Sequence, residues 1–442
     1  MHDRIRKSGP KKAKASEPPA EIPPIAQALY AFVTNIEALA NSVPLLEAVM
    51  ARTCTLADRS FGDFLQKNGE LVKQEGSKGF YKMDPVHMQK VRKLRADCQK
   101  ALSSSRILRQ SFIVSLVSQY DFFLGKLLRS LFAIKPELLN ASEKPLSYAQ
   151  MVQFGSLEAA KEHIIEKEIE TLLRKSHSEQ FQWLESRFDV KLRQGLTIWP
   201  VFVELTERRN LLVHLDGVAS SQYLNICSAN HVQFGVPPNI GDKLETTIDY
   251  FESSYQCVFE IGIKLAQVLW RKVSPGDIVD ADNCLNIIVY DLLHAERFDQ
   301  AIMVGDFALR TLKKHPSDII RRMLVINTAQ AYKWSRQEGK CQEILSENDW
   351  SACSDQFALA VSVLNDHFES AGATMRKIRK EELSEMNYRE WPLFREFRKT
   401  DIFAASFRKL FGHAFAETEQ TPCVEQAAPL EAGEKKDART GG

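Results

Sequence analysis

Apolar residues recur at steps of three and four positions along most of this chain, a spacing that places them on one side of an α-helix. Near its start, Ile25, Leu29, Phe32, Ile36 and Leu39 follow this spacing and predict a long amphipathic helix. The 442 residues also include only 20 glycines against 25 phenylalanines, which favours helices over turn-rich β structure. We therefore expect an all-α fold.

A second long helix is predicted over about residues 105–134, because its apolar residues keep helical spacing and Pro136 follows its end. Further helices are predicted over 157–175, 179–188, 199–214 and 245–272. The segment 216–243 breaks the pattern with many turn residues. Its runs 222–227 and 231–234 are predicted to pair as a small β-hairpin.

Beyond about residue 280 the pattern changes to short helix pairs. The predicted second helix of the first pair spans 301–314. The next pairs join 322–333 with 341–345 and 357–368 with 374–380. The first helices recur about every 35 residues, a period typical of tetratricopeptide-like hairpins. A closing turn and a last helix are predicted in YREWPLFREFRKTDIFAASFRKLFG.

These patterns predict five regions. A disordered basic tail precedes an N-terminal helical segment, a helical domain, an array of tetratricopeptide-like repeats and a second disordered tail. Their expected bounds are 1–23, 24–99, 100–274, 280–413 and 414–442.

Charge and cysteine content exclude several classes of protein. The net charge of +1 provides no global attraction for nucleic acid, so any polyanion site must be local. No uninterrupted apolar stretch is long enough to span a membrane, and the basic N-terminus lacks the apolar region of a secretory signal. The eight cysteines form no C-x-x-C pair, which is typical of a cytoplasmic protein with reduced thiols.

The sequence contains none of the stronger motifs of enzyme chemistry. It has no phosphate-binding P-loop, no G-x-S-x-G nucleophile elbow and no H-E-x-x-H zinc motif. Its ten histidines are dispersed, without cysteine or aspartate at the spacing of metal ligands. We therefore expect neither a metal nor a cofactor.

One segment, Trp199–Gly217, stands apart. Phe202, Leu205, Arg209 and Leu212 follow one stripe of its predicted helix, which should be the buried stripe. An unpaired buried guanidinium would cost several kcal/mol. Arg209 therefore needs a carboxylate, a neighbouring subunit or an anionic ligand.

His214 lies five positions after Arg209, about 140° further round an ideal helix. The two side chains converge only if the helix ends there, and Asp216-Gly217 supplies a stop signal. A cationic imidazole in the last turn would meet the negative end of the helix dipole, which suits a general acid. A helix with one salt-bridged arginine and one C-terminal histidine fits the same residues.

The string Arg209-Asn210-Leu211-Leu212-Val213-His214 has the form R-N-x-x-x-H. It resembles the signature of the HEPN superfamily, all-helical domains found in RNA-cleaving toxins and antiviral effectors. The long helix before the motif and the helix FEIGIKLAQVLWRKV after it are similar to the RiboL-PSP type of HEPN domain over roughly residues 100–272.

The resemblance implies an activity and roles for three residues. His214 would be catalytic, Arg209 would bind phosphate and stabilise the transition state, and Asn210 would orient the histidine or the substrate. The reaction would be metal-independent RNA cleavage, in which the ribose 2′-hydroxyl attacks the adjacent phosphorus. The products would carry a 2′,3′-cyclic phosphate and a free 5′-hydroxyl.

Such a reaction benefits from both a base and an acid, whereas one motif offers one histidine. A two-fold dimer that joins two motifs would supply both, and family members generally dimerise in this way. We therefore expect a homodimer through the 199–214 helix.

Three other residues are candidates for supporting or surface roles. Asp121, in the second long helix, is a candidate partner for Arg209 or His214, and a buried structural carboxylate fits it equally. Arg208 is expected to face solvent or a phosphate, and Glu207 is expected on the surface.

Two functions remain open. The first is a HEPN-type endoribonuclease acting on single-stranded RNA or tRNA in defence or stress response, with the C-terminal repeats as sensor, regulator or substrate platform. The second is a non-catalytic dimeric module that binds RNA or protein, with a protein partner on the repeats. The retained motif favours the first, whereas the lack of an evident basic groove favours the second. Neither involves a membrane or the reading of a DNA sequence.

Overall fold

The computed structural model describes residues 22–76, 78–141 and 147–415. The two predicted tails lie outside these residues, apart from residues 22, 23, 414 and 415. The described residues form sixteen α-helices and one two-stranded antiparallel sheet. The expectation of an all-α fold is therefore confirmed.

Ten α-helices and β-strands lie between the start of the described residues and Val273, and the sequence motif lies on one of them. They are α1 (Pro24–Asn68), β1 (Gly69–Glu75), β2 (Lys78–Met83), α2 (Met88–Ile134), α3 (Tyr148–Phe154), α4 (Leu157–Leu173), α5 (His177–Phe188), α6 (Trp199–His214), α7 (Ser221–Ala229) and α8 (Ile248–Val273).

The later elements are shorter. They are α9 (Ile278–His294), α10 (Phe298–Asp306), a π-helical turn (Phe307–Thr311), α11 (Asp318–Trp334), α12 (Glu338–Ser346), α13 (Asp355–Leu364), α14 (Phe368–Met375), α15 (Glu385–Glu390) and α16 (Asp401–Phe411). Short 3₁₀ turns span Pro85–His87, Pro136–Ala141, Pro275–Asp277, Pro392–Phe394 and Phe397–Lys399.

Helices α1, α2 and α8 pack against one another and form the core beneath the site. The rings of Phe32 on α1 and Phe123 on α2 stack with their centroids 4.3 Å apart. Opposite them on α8, a Cβ added to Gly262 would lie 2.2 Å from the Phe32 ring. The glycine therefore allows α8 to approach α1 closely at this level.

The far halves of α1 and α2 pair with each other and are joined by the β1–β2 hairpin. We call residues 44–110 the arm. Among its described side chains only Glu47, Cys98 and Ala101 are buried. The bidentate hydrogen bond from Arg109 to Glu47, at 2.6 and 2.7 Å, joins the two helices where the arm begins.

The arm corrects two predictions. Helix α2 begins at Met88, well before the predicted residue 105. The region expected to be a purely helical segment also contains the β-hairpin, whose turn includes Gly76 with a φ of 59°. That left-handed conformation suits glycine, and a glycine between two runs of strand-forming residues is the signal that could have predicted the hairpin.

The predicted hairpin over 222–227 and 231–234 is wrong, because residues Ser221–Ala229 form helix α7. The Ser220 hydroxyl accepts a hydrogen bond from the Tyr223 amide at 3.2 Å and caps the helix. Tyr223 and Cys227, four positions apart, are both buried on one helical face. The only isolated β-bridge among the described residues of this region joins Val218 to Lys243.

Three pairs of consecutive helices occur in the predicted repeat region, and two of them, α9–α10 and α13–α14, pack as hairpins. The first helices begin at Ile278, Asp318 and Asp355. Two predicted bounds are wrong: α10 ends at Asp306 and continues as a π-helical turn, and Phe368 begins α14 instead of ending α13. The predicted last helix is confirmed as α16.

The chain divides into two compact units, one ending at Ala331 and the other beginning at Tyr332. This division falls inside α11. The five predicted regions, including a boundary near residues 274–280, stay predictions. Within the described residues, no helix combines the length and apolar character needed to cross a membrane.

Candidate functional site

Helix α6 positions the sequence motif. Pro200 lies in its first turn, where a missing amide hydrogen costs no helical hydrogen bond. The helix ends at His214 because Asp216 and Gly217 follow with φ values of 50° and 78°. Phe202, Leu205 and Leu212 are buried as expected.

Arg209, the remaining member of that stripe, has a carboxylate partner within the chain. Its Nη2 lies 3.4 Å from Oδ2 of Asp121 on α2, and its Nη1 donates to Oδ1 of Asn210 at 3.2 Å. The side chain is 25% exposed. Its Nε is buried without a hydrogen-bond partner among the described residues. Asp121 therefore meets the requirement for a counter-charge, while the guanidinium keeps unused donors, the Nε hydrogen among them.

Sequence reasoning missed His177, the first residue of α5. Its Nε2 lies 3.0 Å from Oδ1 of Asp121, and its side chain is only 7% exposed. Ser176 and Glu179 form a capping box that fixes the start of α5. Asp121 consequently contacts His177 through one oxygen and Arg209 through the other, and these three side chains come from three different helices.

Arg209, Asn210 and His214 line one open pocket with a volume of about 480 Å³. His214 is exposed, and its imidazole makes no hydrogen bond with the described residues. Arg209 and His214 thus line the same pocket, five positions apart on α6. The other charged or titratable side chains that line the pocket are Asp121, Arg174, Lys175, His177, Glu207 and Tyr223.

Glu207 is half-buried in the wall of this pocket, not fully on the surface. Burial raises the pKa of its carboxyl, although the nearby His177 and a hydrogen bond from Asn210 act in the opposite direction. A raised pKa reduces the negative charge that this group brings to the pocket in mildly acidic solution.

The prediction that Arg208 faces solvent is wrong. Its side chain is mostly buried and its Nε donates to Oε1 of Glu204 at 2.7 Å. The hydroxyls of Tyr223 and Tyr250 also donate to Glu204, at 2.7 and 2.8 Å. Burial, followed by the negative charge of Glu204, raises the pKa of both tyrosines. This network joins α6 to α7 and to the first turns of α8.

The loop after His214 is held by ion pairs. Oδ2 of Asp216 lies 2.5 Å from Nζ of Lys243 and 3.5 Å from Nη1 of Arg106 on α2. The hydrogen bond from Lys243, followed by the charge of Arg106, holds the pKa of Asp216 below its usual range. Both contacts connect the end of the motif helix to other parts of the fold.

The structure thus brings Arg209, Asn210, His214 and Asp121 to one pocket and directs Arg208 away from it into a structural network. Within the described ranges, no cluster of three or more histidine, cysteine, aspartate or glutamate side chains could hold a metal ion. Comparison of the chain with protein family models, curated proteins and solved structures finds no match.

Proposed function

We propose that this protein is a metal-independent endoribonuclease of the HEPN type that acts in defence or stress response. One observation carries the proposal: Arg209, Asn210 and His214 all line the same open pocket. A motif match alone would not require its arginine and histidine to face one cavity, because five positions separate them on the helix.

The proposed reaction needs three functions from the pocket. The 2′-oxygen forms a bond to phosphorus as its proton goes to a base, and the bond from phosphorus to the 5′-oxygen breaks as that oxygen takes a proton from an acid. The charge on the phosphoryl oxygens must also be stabilised. Because the nucleophile is the 2′-hydroxyl, DNA would not be cut.

The side chains of the pocket can be assigned to these functions. The Arg209 guanidinium, oriented by Asp121 and Asn210, would bind the phosphate through its remaining donors. His214 is exposed and free to exchange a proton with the substrate. His177 holds the second oxygen of Asp121 and thereby fixes the carboxylate that orients Arg209.

A homodimer through α6 stays part of the proposal. It would place two His214 side chains at one phosphate and supply both the acid and the base. An interface at the end of this helix would cover the exposed apolar side chains of Val213 and Leu215. Sedimentation that shows only a monomer at micromolar concentration would contradict this part.

The test compares wild type with His214→Ala on total tRNA and on a single-stranded RNA in EDTA, followed by end-group analysis. Wild type should leave cyclic phosphate ends, and His214→Ala should cut about 10²- to 10⁴-fold more slowly. His367→Ala, a change at an exposed histidine outside the pocket, should cut like wild type. Equal cleavage by wild type and His214→Ala would contradict the proposal.

A second function, a non-catalytic module that binds RNA or a protein partner, also has an observation in its favour. Asp121 and Glu207 place two carboxyl groups in the pocket beside Arg209, and these oppose the binding of a phosphate there. Under this second proposal neither wild type nor His214→Ala cuts RNA in the same assay, while a partner binds elsewhere on the chain.

A further inference from the structure

Positive charge is concentrated in one part of the arm. The segment from Lys82 to Arg109 contains eight lysines and arginines against two aspartates, although the whole chain has a net charge of +1. This local excess of positive charge forms a basic surface. The sequence pattern did not reveal it, because the basic residues are dispersed along a strand and a helix.

The basic side chains on the first turns of α2 are exposed and uncompensated. Lys90, Arg92, Lys93 and Arg95 are all exposed, and none forms an ion pair with a carboxylate of the described residues. Lys100 has a distant partner, Asp97, at 3.8 Å. Several like charges on one helix repel each other, so a polyanion that neutralises them would be held strongly.

The tip of the arm adds an aromatic ring to this surface. Alternate residues of a strand share a face, so Lys78, Phe80 and Lys82 of β2 lie side by side, and all three are exposed. The Phe80 side chain is 50% exposed, and Lys73 of β1, which is ion-paired with Glu75, lies opposite it in the hairpin register. Glu75 and Glu70 lie opposite Lys78 and Lys82, so the three lysines exceed the carboxylates of this face by one. An exposed ring between basic side chains fits a stacked base with its flanking phosphates.

A row of arginines connects this surface with the pocket. Arg92, Arg95 and Arg106 lie on one side of α2, because their spacings approximate whole helical turns. The row covers about 21 Å of helix axis at 1.5 Å per residue. Its last member, Arg106, contacts Asp216, two residues after His214.

We infer that the arm binds single-stranded RNA, with a base stacked on Phe80 and phosphates on the lysines and arginines of β2 and α2. This inference rests on the proposed function in one respect: the strand held by the arm is the flank of the RNA whose phosphate enters the pocket. The exposed ring between lysines distinguishes an RNA surface from a merely basic one, since every base has a face that can stack.

The test measures binding with the full chain carrying His214→Ala, which prevents cleavage in the pocket. The anisotropy of a fluorescein-labelled single-stranded RNA is followed over a series of salt concentrations. Arg92→Gln/Arg95→Gln and Lys78→Gln/Lys82→Gln should each lower the slope of log affinity against log salt by about 1.4, the value for two lost phosphate contacts. Lys313→Gln/Lys377→Gln removes the same charge from exposed sites outside the arm and should change neither slope nor affinity.

The aromatic contribution is tested separately from the charge. Phe80→Ala should weaken binding about 5- to 150-fold with the salt slope unchanged, because it removes stacking alone. Phe80→Trp should restore binding, which also shows that the hairpin tolerates substitution at this exposed position. A loss in both variants would contradict the stacked base.

Unchanged affinity and salt slope in the arm variants would overturn the inference. So would arm-dependent binding to phosphatidylserine vesicles by a protein that does not bind RNA. A different result would contradict the proposed ribonuclease activity. If the arm binds RNA and the wild type never cuts it, the activity is contradicted and the inferred RNA binding by the arm stands. If the arm variants cut RNA with an unchanged KM, the inferred RNA binding by the arm is contradicted and the proposed ribonuclease activity is not.

Discussion

The Asp121 carboxylate determines the arrangement of the site at the scale of single residues. Each of its oxygens has one cationic or titratable partner, His177 at 3.0 Å and Arg209 at 3.4 Å. This leaves the Nε of Arg209 buried without a partner among the described residues. An unpaired buried donor is costly, so the rest of the fold must offset this unfavourable group.

Glu207 should make stability depend on pH. Burial raises the pKa of its carboxyl above the unfolded value of about 4.3, so the folded state holds the proton more tightly. Its contribution to the free energy of unfolding therefore falls as the pH rises from the unfolded to the folded pKa. Glu207→Gln should be more stable than wild type at pH 7 and similar to it at about pH 4, as measured by urea denaturation.

Glu179 provides a control of opposite sign. Hydrogen bonds from the side chain and backbone of Ser176 lower its pKa, so its contribution is present above the unfolded pKa and is lost as the pH falls through the folded pKa. Glu179→Gln should be less stable than wild type at pH 7, and the difference should shrink in acid. A Glu207→Gln variant that behaves like Glu179→Gln would contradict the raised pKa.

At the scale of elements, the Glu204 carboxylate holds α6 in place. It accepts hydrogen bonds from Arg208 on its own helix, from Tyr223 on α7 and from Tyr250 on α8. A buried carboxylate with three donors is satisfied, whereas the loss of one partner leaves charge uncompensated. The network holds one face of α6 in place. It thereby also fixes the opposite face of α6, on which Arg209 lines the pocket.

Two glycines in long helices should respond oppositely to the same substitution. A Cβ on Gly262 of α8 would lie 2.2 Å from the Phe32 ring, whereas one on Gly125 of α2 would meet Ile169 and Leu173 at 3.6 Å. Gly262→Ala should cost about 1–3 kcal/mol of stability through overpacking. Gly125→Ala should stabilise by up to about 1 kcal/mol, because alanine favours the helix.

Urea unfolding curves of the two glycine variants, compared with wild type, measure both effects. The circular dichroism of each variant at low urea shows whether the helices are retained. A stable Gly262→Ala variant would mean that α1 and α8 are further apart than this packing requires.

At the scale of the whole molecule, charge and burial are unevenly distributed. The core of α1, α2 and α8 is buried, while the arm exposes most of its side chains, among them four basic residues of α2 that form no ion pair with the described residues. A chain whose net charge is close to zero can thus still present a strongly basic surface.

The cysteines report on burial across the molecule. Cys98, Cys227, Cys257, Cys284 and Cys341 are buried, whereas Cys54 and Cys353 are half-buried. Burial raises the pKa of Cys227 and Cys284 to about 12 and that of Cys341 to about 11, so few of these thiols ionise at pH 8. Among the seven cysteines of the described residues, iodoacetamide at pH 8 should modify Cys54 and Cys353 first, as measured by peptide mass spectrometry.

The buried cysteines should react only after denaturation in urea, which serves as the control that every peptide can be detected. Rapid modification of Cys257 in the native protein would show that the contact between α8 and the start of α6 opens readily.

The sequence by itself determined the helical class and most helices of the site, because the signals are local. Apolar spacing defines α4, α5, α6 and α8 to within a few residues, and the stop at Asp216-Gly217 ends α6 at His214. The same local reasoning required a counter-charge for Arg209, since a buried guanidinium must be paired wherever the helix packs.

The tertiary structure alone decided which groups meet. Asp121, His177 and Arg209 are far apart in the sequence, so no local pattern could show that one carboxylate contacts both of the other side chains. Arg208 lies outside the site because its side chain is buried against Glu204 and Tyr250. The segment around Tyr223 and Cys227 has strand-like spacing but forms a helix, in which these two side chains share a buried face. Long-range packing outweighed local preference at these positions, because burial and ion pairing exceed the small differences between local conformations.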